Sequence, residues 1–356
     1  MLQALETEKS LSERNYDDIM QSVANDSIGK ADYTTSLNNL HMDYNGNIEF
    51  IDTNKVTGTG TKDIGFNATD WAESQVYSKL GMPAHYFKRI KPENPDLVAE
   101  HFNYWTRKSD DNVMLRTRVR DNEAGIIRGI VSEKYSILDN DTTAETLRKI
   151  LTGQEHRFKI QGFHLDAKRM HLRVTFNELT KHATNLNNGD PDNLQIGLDI
   201  VNSEVGAASL NILSLVFRLV CSNGLRAWRV EDQFSQRHIH LKEYEIYGRM
   251  VEAFAVNLSG GAVLLDNFTK TIETKIPNPF DAISGIAQKY NLTNEFADNA
   301  KNLYEGNSTA YGVINTITAA SRELPNERRL DTERIAGRLI ELSPKEWEVL
   351  SEVGAN

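Results

Sequence analysis

Cys221, the only cysteine of the chain, ends the apolar run Leu210 to Cys221, and His238 follows downstream. A thiol within reach of an imidazole is the pairing that nucleophilic catalysis requires. A single cysteine closing an apolar strand more often packs as a small hydrophobe, and no basic residue stands closer in sequence than Arg218 to lower its pKa, so a structural role is the expectation. His238-x-His240 would set two imidazoles on one face of a strand, but no carboxylate stands at a zincin-like spacing, and neither metal nor cofactor is expected. Asn202, Ser203, Glu204, Ser222 and Asn223 gather polar groups at the ends of apolar strands, where unpaired groups are costly. Two readings stay open for them. They supply bulge and turn chemistry, or with His238 they rim a cleft in which Arg218, Arg226 and Arg237 meet an anionic ligand.

The clearest basic feature lies earlier. Val113, Leu115, Thr117 and Val119 alternate with Met114, Arg116, Arg118 and Arg120, and Ile126 to Ser132 returns after a turn carrying Arg128, with Lys134 just beyond. Side chains two apart on a strand share a face at about 7 Å, near the phosphate spacing of an extended nucleic-acid strand. Arg116, Arg118, Arg120 and Arg128 thus read as an exposed basic face whose removal would hardly touch stability. Solvated polarity of one side of an antiparallel sheet is the plainer alternative.

These residues need elements to hold them. Leu194, Ile196, Leu198 and Ile200 keep period two, Asn202 to Gly206 interrupt them, and Asn223-Gly224 reads as a hairpin turn before a return strand Leu225 to Val230. Phe158 to Leu165 and Arg169 to Phe176 form a further strand pair, and Thr142-x-x-Glu145 caps a helix between the two pairs. Asp70 with Glu73 opens a helix closed by Gly81 and Pro83. A second carries Tyr86, Phe87 and Ile90, and Asn94-Pro95 starts a third that presents Leu97, His101, Tyr104 and Trp105 at helical spacing. Those aromatics are expected in the core rather than as a base-stacking platform. From His238 onward the period becomes 3.6, and Ser343-Pro344-Lys345-Glu346 caps the last helix. The fold class expected is α+β: an antiparallel sheet built from hairpins between residues 113 and 230, helices packed on one face, and a helical C-terminal region. The domain reading is a polar N-terminal segment (1–65) with at most a small hairpin around Asn45-Gly46, an α+β core (66–258) and a helical C-terminal region (259–356).

Composition narrows the classes. The 356 residues carry a net charge of −10, unevenly spread: residues 105–250 hold 21 Lys+Arg against 19 Asp+Glu, while 1–104 hold 9 against 16 and 251–356 hold 10 against 15. The basic middle leaves room for a local groove in an acidic chain. No apolar run approaches the roughly 20 residues of a membrane span, no secretory leader is visible, and one cysteine suits a reducing cytoplasm.

Several motifs occur together in this order: Leu80-Gly81-Met82-Pro83, Leu115-Arg116, Arg128-Gly129-Ile130-Val131-Ser132-Glu133-Lys134-Tyr135, Asn202-Ser203-Glu204-Val205-Gly206, Phe217 to Gly224, and Arg237-His238. Over roughly residues 70–340 the chain resembles the phage- and plasmid-borne family catalogued as domain of unknown function 932. The resemblance implies a mobile-element setting and a cytoplasmic protein, and it assigns neither activity nor site. Three function classes follow. First is a nucleic-acid-binding protein of phage recombination or replication, similar to single-strand annealing proteins, with single-stranded DNA as favoured partner and a second copy of the chain as a further one. Second is an enzyme on nucleotides or nucleic acid using Glu204, Cys221 or His238; non-enzymatic binding ranks above it. Third is a binder of a host defence protein.

Overall fold

A computed structural model describes residues 16–50, 66–119, 125–152, 158–184, 191–218, 223–225, 234–239 and 243–355. The chain enters through helix α1 (Tyr16–Ser27) and strand β1 (Lys30–Ser36), followed by the small hairpin of β2 (Leu40–Met42) and β3 (Ile48–Phe50) and then by β4 (Phe66–Ala68). The hairpin turns on Gly46 at φ +82°, a conformation that favours glycine, and the Asp43 carboxylate accepts the Asn45 and Asn47 N–H groups. Three helices come next: α2 (Asp70–Lys79), α3 (Ala84–Ile90) and α4 (Pro95–Thr106). Helix α2 is capped one residue earlier than Asp70 suggests, because the Thr69 hydroxyl accepts the Ala72 N–H.

Strands β5 (Asn112–Arg118) and β6 (Gly125–Ser132) form the expected hairpin, and β1 and β4 extend it into a four-stranded sheet of order β1-β5-β6-β4. β1 pairs antiparallel with β5, and β4 lies parallel to β6. Leu37, Met42, Phe66, Val76, Tyr77, Phe102, Leu115 and Ile130 pack the core between this sheet and its helices.

Helix α5 (Asn140–Thr152) crosses to a second, six-stranded sheet. It contains β7 (Phe158–Leu165), β8 (Met170–Thr184), β9 (Pro191–Asn202), β10 (Leu210–Arg218), β11 (Asn223–Leu225) and β12 (Phe234–Gln236), in the order β11-β10-β9-β8-β7 with β12 also on β10. The α+β class holds, with the antiparallel hairpins divided between two sheets. Met170, Leu172, Val174 and Phe176 face a core shared with Leu198, Ile200, α1 and α5, as their alternation requires. Asn223 and Gly224 lie within β11, opposite Arg218 and Phe217, so they pair along a strand instead of making the turn.

Helix α6 (Glu243–Thr271) runs unbroken beneath the second sheet and joins two cores, giving Ile246, Met250 and Phe254 to one and Leu264 and Phe268 to the other. Five more helices follow: α7 (Pro279–Lys289), α8 (Asn294–Asn302), α9 (Ala310–Ala320), α10 (Asn326–Leu339) and α11 (Pro344–Ala355), around Ile283, Tyr311, Ile314, Leu339 and Trp347. α7 and α11 cross so closely that a Cβ on Gly285 would lie 1.8 Å from the Leu350 carbonyl oxygen and one on Gly354 1.9 Å from that of Asp281. No helix among the described residues is long and apolar enough to cross a membrane.

Candidate functional site

The arginines of the β5–β6 hairpin do not face solvent. Asp32 lies opposite Arg116 in the β1–β5 register, and its carboxylate is 2.7 Å from Arg116 Nε. Arg116 is 1% exposed; it also pairs with Asp139 and donates from Nη1 to the Glu204 carbonyl at 3.1 Å. Arg118 pairs with Asp26 at 2.6 Å, and Arg128 with the Glu204 carboxylate. Lys30 bridges Asp26 and Glu204 at 2.7 Å each. Four cations thus meet four carboxylates where the β9–β10 turn and the start of α5 press on the first sheet. The expected solvated basic face is corrected to a buried, charge-balanced network. The reason is tertiary: β1 supplies Asp32 and α1 supplies Asp26 to one flank of β5, and residues 139–140 and 204 cover the face that period two leaves outside. Arg120 lies outside the described residues.

Glu204 sits at the centre of this network. Its carboxylate accepts Lys30, Arg128 and the Asn140 N–H, the last at 2.8 Å. Burial would raise its pKa, but the charges of Arg128 and Lys30 and the Asn140 hydrogen bond outweigh burial and bring it down to about 2. Asp139 moves the other way, because burial dominates there over the charge of Arg116. Burial alone would lower the Arg116 pKa, and Asp139 and Asp32 outweigh it to raise it. Every cation is matched, so the network has no surplus charge to offer a phosphate.

The polar cluster surrounds Glu204 and does turn chemistry. Asn202 donates to the Leu138 carbonyl and the Asn140 side chain, each at 3.0 Å. Ser203 Oγ accepts the Ala207 N–H at 2.9 Å, and Gly206 closes the turn at φ +74°. Trp71 and Gln75 of α2 both donate to the Val205 carbonyl, clamping the turn to the first sheet. His238 is buried and stacks on Tyr135 with ring centroids 5.0 Å apart and planes 4° from parallel. Burial, aided by the Arg116 charge and opposed by the Ser136 backbone, brings the His238 pKa down to about 4, so its imidazole is neutral at pH 7. Tyr135, raised chiefly by burial, donates to the Ser203 carbonyl at 2.8 Å. The turn reading therefore fits Asn202, Ser203 and Glu204, all three of them buried.

Lys134 and Arg237 are exposed. Arg218 and Asn223 face each other across β10 and β11, and their side chains are outside those described. Cys221, Ser222, Arg226 and His240 lie outside the described residues. Among the described residues no three His, Cys, Asp or Glu side chains are grouped to hold a metal ion.

A different surface carries exposed chemistry. On α4 the buried positions are Val98, Ala99, Phe102 and Thr106, which turns Leu97 (44% exposed), Tyr104 (52%) and Trp105 (43%) outward together with His101. Their expected place in the core is thus corrected. Both sets recur at helical spacing, and the one richer in small and β-branched residues takes the inside. Lys108 continues the outer stripe, its Nζ 4.2 Å from the Tyr104 ring centroid and 6.0 Å from that of Trp105. The two rings meet edge to face at 5.2 Å. Tyr86 of α3, 48% exposed beneath Arg89, adjoins the stripe through Phe87, whose ring lies 5.6 Å from His101. The resulting surface has three exposed aromatic rings with Lys108 and Arg89 among them, and the exposed carboxylates Asp96 and Glu100 stand on the same helix. It can stack flat rings and hold anionic groups between them. The cue in sequence was Lys108, a cation in register with His101 and Tyr104 that a core face would not hold.

A family model described as Domain of unknown function (DUF932) matches residues 128–334. No curated protein and no solved structure matches the chain.

Proposed function

The chain belongs to the DUF932 family, and for this member we propose single-stranded nucleic-acid binding, DNA ahead of RNA, in the recombination or replication of a phage or plasmid within a host cytoplasm. The observation that carries the reading is the exposed α3–α4 stripe, in which Tyr86, Tyr104 and Trp105 lie open, with Lys108 donating to the Tyr104 hydroxyl and Arg89 beside the Tyr86 ring. Exposed rings interleaved with cations serve unpaired bases well, because each base presents a π-face and each phosphate needs a charge nearby. A duplex hides its base faces, so the same surface favours single strands. Catalysis ranks behind binding: Glu204 is fully occupied by Lys30, Arg128 and Asn140, and His238 is stacked away from solvent.

The test is a fluorescence-anisotropy titration of a labelled oligonucleotide, single-stranded and duplex, at several salt concentrations. Two or three phosphate contacts from Lys108, Arg89 and their neighbours give a log–log salt slope of about −1.5 to −2 on a single strand. Binding to the single strand should exceed binding to the duplex. Absence of salt-sensitive binding to either form would remove the proposal.

A further inference from the structure

Helix α6 carries an outer face that the other described residues leave open. Between Val251 and Val263 its exposed positions are Val251, Glu252, Ala255, Val256, Ser259, Ala262 and Val263. That is one charge over roughly three and a half turns. The solvent side of α11 shows Lys345, Glu346, Glu348 and Glu352 beside the exposed Val349 and Val353, four charges over a similar length. Tyr247 and Gly248 extend the α6 face toward its N-terminus.

Gly248 makes the case sharper. A Cβ there would meet nothing within 4 Å, and its φ is not positive, so neither crowding nor a turn within the chain calls for glycine. Glycine weakens a helix relative to alanine. In the same helix Gly261 has an internal reason, since its Cβ would press on Ile196 at 2.5 Å. Gly248, Ala255 and Ala262 follow one another at heptad spacing, with Ser259 between the last two, down the middle of the open arc.

We propose that this face is the interface of a homodimer in which α6 packs antiparallel on α6 of a second copy. The charges at its two ends select that occupant. The N-terminal end holds Glu245 and Arg249, and the C-terminal end holds Asp266 and Lys270. A two-fold axis at the level between Asn257 and Leu258 sets Glu245 beside Lys270 of the second copy and Arg249 beside its Asp266, and does so twice. Within its own chain Arg249 pairs with Glu245 at 3.3 Å and donates to the Gln236 side chain, both contacts exposed, so the dimer has to exchange these surface contacts for the one to Asp266. A parallel arrangement would instead set Glu252 on Glu252 and Asp266 on Asp266. An anionic lipid surface would be repelled by the same two acids. The small residues let the two backbones approach, and the valines close the flanks. A helix contact from Glu245 to Lys270, about 39 Å long, with small side chains buries about 1,000 Å² in total, near the lower edge for a stable interface, so a weak and reversible dimer is expected.

Sedimentation equilibrium of the full chain between about 1 and 100 µM reads this directly. The wild type is expected to show a reversible monomer–dimer equilibrium. Ala255→Glu and, independently, Val263→Lys should shift it to monomer, with far-ultraviolet circular dichroism and the melting temperature as folding controls; both positions are exposed, so one variant stands if the other fails to fold. Lys270→Glu should weaken the dimer about tenfold, and Glu245→Lys added to it should restore the affinity to within about threefold. A wild type that stays monomeric at 100 µM overturns the proposal, including one that binds vesicles or another protein through this face. So does a dimer indifferent to both surface variants, or a charge reversal that Glu245→Lys does not rescue.

Discussion

Replacing Glu204 by glutamine keeps the side chain's shape and one acceptor oxygen, and it removes the charge on which the buried network balances. Lys30 would retain Asp26 at 2.7 Å, while Arg128, itself buried, would lose the carboxylate it rests on. Breaking a buried ion pair by removing one partner costs about 3–5 kcal/mol. The titration of Glu204 gives a similar figure by another route: its pKa falls from 4.5 to about 2 on folding, and about 2.5 units at 1.36 kcal/mol each is about 3 kcal/mol. A folded protein holds only about 5–15 kcal/mol, so the change should be large. The sign is fixed as well. Because the folded pKa is the lower one, this stability is complete above pH 4.5 and disappears as pH falls toward about 2. Guanidinium unfolding of wild type and Glu204→Gln at pH 7 should show a lower midpoint at unchanged slope. Repeated at pH 3, the gap should narrow, since the carboxylate of the unfolded chain is then protonated while the folded one still resists it. A loss below about 1 kcal/mol at pH 7, or a gap independent of pH, would refute the idea that Glu204 holds the two sheets together by charge.

Two further outcomes are expected. His238→Phe keeps a flat ring on Tyr135 but cannot charge; because the His238 pKa drops from 6.5 to about 4 on folding, wild-type stability should begin to fall below pH 6.5 and continue to about pH 4, and the variant should lack that part of the decline in pH-dependent melting curves. Gly285→Ala places a Cβ where the Leu350 carbonyl oxygen already stands, so α7 and α11 must separate, with a loss of about 1–3 kcal/mol in denaturant unfolding; an unchanged midpoint would mean that the helices are not in close contact.

Local pattern carried much of this fold. The alternation of Leu194, Ile196, Leu198 and Ile200 is β9, and the helical periods of residues 70–106 are α2, α3 and α4, though Thr69 and not Asp70 caps α2 and the Asn94 side chain makes no capping bond to α4. What stayed hidden is tertiary. Lys30 to Ser36 is a polar run with no marked alternation, and it becomes a strand because β5 offers it an edge. Without β1, Asp32 has no visible reason to meet Arg116, and three arginines at period two look like a surface. On α4, Leu97–His101–Tyr104 and Val98–Phe102–Thr106 are equally helical sets, and only the packing against β2 and the first sheet decides which one is inside. Asn223-Gly224 carries the strongest local turn signal in the chain, and strand pairing with Phe217 and Arg218 overrides it. Arg116, Arg118, Arg128, Asn202, Ser203 and Glu204, read as functional, are thus residues that join the elements of the fold. The surface open to a ligand was read as core.

The direct test of that exchange of roles is the affinity of Tyr104→Ala/Trp105→Ala for a single-stranded oligonucleotide, measured beside the wild type by anisotropy at one salt concentration. Each lost stacking contact is worth about 1–3 kcal/mol, so the account expects at least about a 30-fold weaker complex, with the melting temperature nearly unchanged because both side chains are exposed. Wild-type affinity in that double variant, with its fold intact, would contradict it.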